Sequence, residues 1–132
     1  MRPADRAEIE ALEGRPAGEF LTETIGGRSC VLTIRSEPMV LYGIVACEGL
    51  SGHSMPWLAT TSTLAHDDLM NIMWMSRLQV DLWQRRSAVL QALCDSRNSF
   101  RREWLEWLGF LRSGHLAAFG AGRLPFDLYA RR

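Results

Sequence analysis

From His53 to Leu108 this chain has no glycine, and nowhere does it have a lysine. The first absence removes the residues that let a backbone approach a pyrophosphate closely. The second makes all 15 basic residues arginine, offset by 15 acidic residues, so no net field draws the molecule onto nucleic acid or an anionic membrane. An all-arginine set reads as the codon bias of a GC-rich genome rather than as 15 functional guanidinium groups. No apolar run approaches the ~20 residues of a membrane span, and Met-Arg-Pro-Ala-Asp-Arg lacks the apolar core of a signal peptide. Synthesis and folding in the cytoplasm are expected. Cys30, Cys47 and Cys94 are odd in number and sit in or beside apolar segments, as reduced thiols filling core space would. His53, His66 and His115 have no ligand spacing, so no metal is expected, and no Gly-x-Ser-x-Gly elbow supports a serine nucleophile.

What is present suits one domain over residues 1–132, since two cores would leave each too small to bury enough surface. Asp5 to Glu13 has helical spacing through Ala7, Ile9 and Leu12 and stops at Gly14 with Pro16 beyond. Ser29–Arg35 and Met39–Cys47 are β-rich runs joined by Ser36-Glu37-Pro38, a central hairpin. Gly49–Ser54 reads as a loop and Trp57–Thr61 as a short strand. Thr63 to Arg86 is a long helix with Asp67 and Asp68 in its first turns and Arg85 and Arg86 in its last, both complementing the helix dipole. Gly114–Gly122 reads as a loop, and Phe126–Ala130 as a final edge strand. Alternating helices and strands indicate an α/β or α+β sheet covered by helices.

The segment from Asp95 to Phe110 carries the most information. Ala88, Val89, Leu90, Leu93 and Cys94 form a buried strand; Asn98 is a good N-cap; Phe100, Trp104 and Leu108 recur at i, i+4, i+8; Gly109 ends the helix. Strand, Asn, amphipathic helix, Gly-Phe resembles the close of the GCN5-related N-acetyltransferase fold, and Arg2-Pro3-Ala4-Asp5 with Glu8-Ile9 resembles that superfamily's opening. Glu37-Pro38, Leu41-Tyr42-Gly43-Ile44-Val45, Met55-Pro56-Trp57-Leu58-Ala59-Thr60-Thr61, Asp95-Ser96-Arg97-Asn98 and Trp104-Leu105-Glu106-Trp107-Leu108-Gly109-Phe110 are together similar to the internal virion protein A family of short-tailed bacteriophages.

That resemblance implies an acetyltransferase-like α/β fold, with a mainly antiparallel twisted sheet, that has lost its chemistry. The implied role is a non-catalytic virion or virion-assembly protein of the internal core near the portal, serving assembly or DNA ejection. Its partners would be other virion proteins or further copies of itself, with no cofactor. Three departures from the superfamily support lost catalysis. Thr61-Ser62-Thr63-Leu64-Ala65-His66 stands where the superfamily has its Q/R-x-x-G-x-G/A loop, with Asp67 and Asp68 adding negative charge. Leu105 occupies the position where many family enzymes carry a tyrosine general acid, and Trp57–Thr61 has no acidic general base. Asn98 matches a cofactor-contacting pattern, but capping alone explains it. The alternative is an N-acetyltransferase with an atypical coenzyme A loop, using acetyl-coenzyme A. For contacts with partners, the residues indicated are Met70, Trp74 and Leu78, an apolar ridge on the long helix, with Arg97 and Arg101 suited to phosphate or acidic groups. Trp107, off the buried stripe, is expected to be partly exposed.

Overall fold

A computed structural model describes residues 3–16, 18–19, 29–34, 37–47, 49–60 and 65–132. Its elements are α1 (Pro3–Glu13), β1 (Ser29–Ile34), β2 (Glu37–Ala46), β3 (His53–Thr60), α2 (His66–Gln84), β4 (Val89–Asp95), α3 (Ser99–Trp107), β5 (Leu111–Phe119) and β6 (Leu124–Arg131). The strands form one sheet in the order β1-β2-β3-β4-β6-β5, with every neighbouring pair antiparallel except β3 and β4. The mainly antiparallel α/β architecture expected from the sequence is the one observed.

Several boundaries differ. The sheet's edges are β1 and β5, so the hairpin expected at the centre has its first strand at the rim. The expected loop Gly114–Gly122 is mostly the edge strand β5, and β6 lies inside the sheet between β4 and β5. The glycine- and alanine-rich β5 lacks apolar alternation because nearly all its residues are exposed, and its pairing to β6 slips twice. β3 begins four residues earlier than expected, at His53; α2 begins at His66, and Thr63, expected to start it, lies outside the described residues.

The core gathers Leu90, Ala92 and Cys94 of β4 with Ile72 and Val80 of α2, with Trp104 and Leu105 of α3, and with Leu108 just past its end. Burial pushes the Cys94 thiol up to about 12, so it acts as a small apolar side chain. Helix α3 follows its sequence signals closely. The Asn98 side chain accepts from Arg101 N at 3.2 Å. At the other end Gly109 takes φ 90°, Gly109 N donates to Glu106 O, and Phe110 N donates to Leu105 O at 3.0 Å. Those two bonds satisfy carbonyls that a helix end otherwise leaves open.

Helix α1 is held from outside. Ala121 N and Gly122 N, in the turn between β5 and β6, donate to Leu12 O and Ala11 O at 3.1 and 2.7 Å. Gly120, with φ 69°, lets that turn approach, since a Cβ there would lie 2.8 Å from Ala11 O. The buried face of α1 is Asp5, Glu8 and Ala11, whereas Ala7 is exposed. This corrects the apolar face inferred from Ala7, Ile9 and Leu12. The helix turns towards polar partners in the rest of the chain, which its own periodicity does not record.

Candidate functional site: a cleft where two parallel strands part

Parallel β3 and β4 pair only at their beginnings, through His53↔Val89 and Ser54↔Leu90. The junction is reinforced by Val89 N donating to Gly52 O at 3.1 Å and by a 2.9 Å bond between the Ser87 and Ser54 hydroxyls. Beyond it each strand keeps its other partner: β3 stays on β2 as far as Thr60, and β4 stays on β6 as far as Asp95. The inner edges therefore part while the outer ladders continue, so the two strands no longer pair with each other across the gap.

A cleft of ≈ 130 Å³ lies at this gap. Pro56, Trp57 and Leu58 line it from β3 and Ala92 from β4. Helix α2 contributes Ile72, Ser76, Gln79 and Trp83, and α3 contributes Phe100, Trp104 and Leu105. Ring contacts stiffen the walls: Phe100 meets Trp104 edge-on at 5.7 Å, and Tyr42 meets Trp83 at 6.1 Å. Trp104 is buried, and its Nε1 has no hydrogen-bond partner among the described residues.

One turn of α1 spans the open end of the gap. Thr60 Oγ1, at the end of β3, donates to Asp5 Oδ2 at 3.2 Å. Across the gap Asp95 N, at the end of β4, donates to Glu8 Oε2 at 3.3 Å. Glu8 also accepts from Asn98 Nδ2 at 3.3 Å and pairs with Arg101 at 2.9 Å. Burial pushes the Glu8 carboxyl up; the Arg101 charge and the bonds from Asp95 N and Asn98 pull it back only in part, and the Asp5 charge adds to the rise. Asp95 holds Arg97 through two side-chain bonds of 3.0 and 2.7 Å, and the Arg97 bond chiefly keeps its carboxyl below the ordinary range.

Asn98 caps α3 and also braces Glu8. Arg101 turns inward to Glu8 rather than out towards a partner, and Arg97 is tied to Asp95. Met70, Trp74 and Leu78 are exposed at 42, 58 and 65%. Trp107 is half-buried, meeting Trp74 edge-on at 5.2 Å with the Arg77 guanidinium 5.1 Å from its ring. The structure thus separates the five sequence candidates for partner contacts into an exposed ridge and two arginines already engaged within the chain. The three histidines lie apart, on β3, α2 and β5, and no group of three metal-ligating side chains occurs among the described residues. Asp5, Glu8 and Thr60 went unnoticed as site residues. The sequence signal for the first two is their i, i+3 spacing, which shares a helix face, together with the need of Arg101 for a buried partner.

No family model matches the chain, and no curated protein does either. Solved structures do match. An N-acetyltransferase from Staphylococcus aureus Mu50 superposes with TM-score 0.67 at 14% identity, over 86% of this chain and 73% of that one. A GNAT-family acetyltransferase from Bacillus anthracis gives 0.65 at 12% identity, over 86% and 70%. The fold is that of the GCN5-related N-acetyltransferases. Mycobacterium smegmatis RimJ, in complex with coenzyme A-disulfide, matches with TM-score 0.63 at 16% identity, over 86% of this chain and 57% of that one.

These matches correct two expectations. Nothing in them supports the resemblance to internal virion protein A or a place in a phage particle, and the reading of a non-catalytic virion protein gives way to the acetyltransferase alternative. The expected absence of a cofactor is likewise overturned, because RimJ and a RimL acetyltransferase hold coenzyme A on this fold. The virion role rested on short motifs that are each compatible with this fold in general. The absence of a cofactor rested on the missing loop glycines at Thr61 to His66, of which residues 61–64 lie outside the described residues, whereas the cleft depends on the parting of β3 and β4.

Proposed function

We propose that this protein is an N-acetyltransferase that moves the acetyl group of acetyl-coenzyme A onto an amine. The observation that carries the reading is the β3–β4 ladder that stops after two residue pairs and opens onto a largely apolar cleft. When bound, the cofactor supplies an acetyl thioester, an activated acyl donor. The inner edge of β3 beyond Ser54, unpaired with β4, offers backbone groups for its amide-bearing arm, and Pro56, Leu58 and Leu105 keep water from the reacting end. The first N–H groups of α2 follow Ala65, which makes no side-chain cap, and a helix start of this kind suits a phosphate. Asp67 and Asp68 oppose an anion there, so backbone contacts have to carry that interaction.

Leu105 does not bar this chemistry. An ordinary thiol has a pKa of about 8.5 and departs as thiolate near neutral pH with little need for a proton donor. Trp104 Nε1, buried and unpartnered in the cleft wall, is a donor suited to a carbonyl oxygen. Acetyl-coenzyme A at a hundredfold excess over its Kd is expected to stabilise the protein by about 2.7 kcal/mol and raise Tm by several degrees. A panel of amines is expected to release free thiol from the cofactor. No thermal shift at millimolar acetyl-coenzyme A, together with no amine-dependent thiol release, would overturn the reading.

A further inference from the structure

Two buried carboxylates sit one helical turn apart on α1 with unequal surroundings. Glu8 has three donor groups, one of them the Arg101 guanidinium. Asp5 is 6% exposed and lines the cleft, yet among the described residues its hydrogen-bond donor is the Thr60 hydroxyl alone and it pairs with no cation. Arg101 lines the same cleft but is committed to Glu8. An ionised carboxylate has about four lone-pair positions, so Asp5 retains most of its accepting capacity while removed from water. A buried charge in that condition calls for a positive partner.

Asp5 shares the cleft lining with aromatic residues rather than with further acids: Tyr42, Trp57, Trp83, Phe100 and Trp104. A carboxylate in a cleft lined by aromatic rings is a setting that attracts an ammonium group, through charge-assisted hydrogen bonds and through the ring quadrupoles. The volume sets the rest of the ligand. At ≈ 130 Å³ the cleft is close to an apolar cavity of ~150 Å³ that takes a benzene-sized molecule. Ser76 and Gln79 are the uncharged polar side chains of its helical wall.

We propose that Asp5 binds the ammonium of the acceptor, a primary amine carried on a single apolar or aromatic body. The assignment rests on the acetyltransferase reading for the amine's role as acceptor, whereas the binding site stands on the cleft itself. Asp5 is a binding residue here: the bound ammonium gives one proton to solvent to free its lone pair. The nitrogen then bonds to the thioester carbonyl carbon as the C–S bond breaks to thiolate, and the second proton leaves the new amide nitrogen to solvent. A substrate with several ammonium groups would find one carboxylate for one of them and meet apolar walls with the rest.

Calorimetric titration of the protein without cofactor tests this, using phenethylamine and its neutral counterpart phenethyl alcohol. The amine is expected to bind more tightly by about tenfold or more, the size of one charge-assisted hydrogen bond. Asp5→Asn should abolish that preference and leave the alcohol unaffected, and Thr60→Val, which keeps the carboxylate, should preserve it. Equal affinity of the native protein for amine and alcohol would overturn the proposal without recourse to any variant, and so would an Asp5→Asn protein, folded by near-ultraviolet circular dichroism, that still prefers the amine. A parallel titration with acetyl-coenzyme A separates the two readings. Cofactor binding without amine preference defeats the Asp5 site alone, and amine preference without cofactor binding defeats the acetyltransferase reading alone.

Discussion

Helix α1 buries acids while helix α2 exposes hydrocarbon. On α1, Asp5 and Glu8 are 6 and 2% exposed, whereas on α2 Trp74 and Leu78 are 58 and 65% exposed. Local sequence explains α2: its apolar residues cover more than one stripe, and a helix lying on a sheet can turn only part of its circumference inward, here Ile72 and Val80. Local sequence does not explain α1. Its acids are buried because Thr60, Asp95, Asn98 and Arg101 arrive from elsewhere in the chain to meet them. A side chain's hydropathy therefore decides its burial only where no specific partner is supplied.

The strongest test of that contrast is Arg101→Met, which leaves Glu8 buried without its cation. We expect a loss of about 3–5 kcal/mol in denaturant melts at neutral pH. The sign of its pH dependence follows from Glu8. A carboxyl raised in the folded state contributes stability fully present below its unfolded value, near 4.5, and lost as pH rises through the folded value. Removing Arg101 raises the carboxyl further, so the deficit should shrink on acidification towards that value. Asp95, lowered by Arg97, keeps its own contribution until pH falls below its ordinary 3.8, which leaves the window just above 4.5 clear of it. A deficit that grows on acidification in that window would refute the assignment of Glu8 as the strained partner.

On α2 the effects should be smaller. Trp74→Ala removes the edge contact with Trp107 and is expected to destabilise by about 1 kcal/mol, the scale of one aromatic pair. Leu78→Ser, at a more exposed position, should stay within about 0.5 kcal/mol. A Leu78→Ser loss comparable to that of Arg101→Met would place the ridge in the core. The least perturbing comparison is chemical: a thiol reagent should modify half-buried Cys47 in the native protein and leave Cys94, pushed up to about 12 by burial, untouched until unfolding.

How far each element could be read in advance follows the same division. Asn98 and Gly109 bracket α3 because caps act within a few residues, and the exposed ridge of α2 emerged from counting positions on one helix. Strand β5 was hidden because an exposed edge leaves no buried face to impose alternation. The cleft was hidden because a pair of strands that part looks, residue by residue, like a pair that stays together. Its carboxylates were hidden because Asp5 finds Thr60 55 positions away and Asp95 N reaches Glu8 across 87.

The parted strands give the molecule a mechanical character. Strands β1, β2 and β3 form one plate and β4, β6 and β5 another, hinged at one corner by His53↔Val89 and Ser54↔Leu90. At the far corner side chains from one turn of α1 tie the plates, with Asp5 gripping one plate through Thr60 and Glu8 the other through Asp95. Because α1 is itself moored at its end by the turn around Gly120, tension on the tie is set outside the cleft. A side chain at Gly120 would press on Ala11 O and Leu12 Cα, so α1 and the tie it carries would have to shift. The aperture offered to a ligand would then change with every residue lining it still in place.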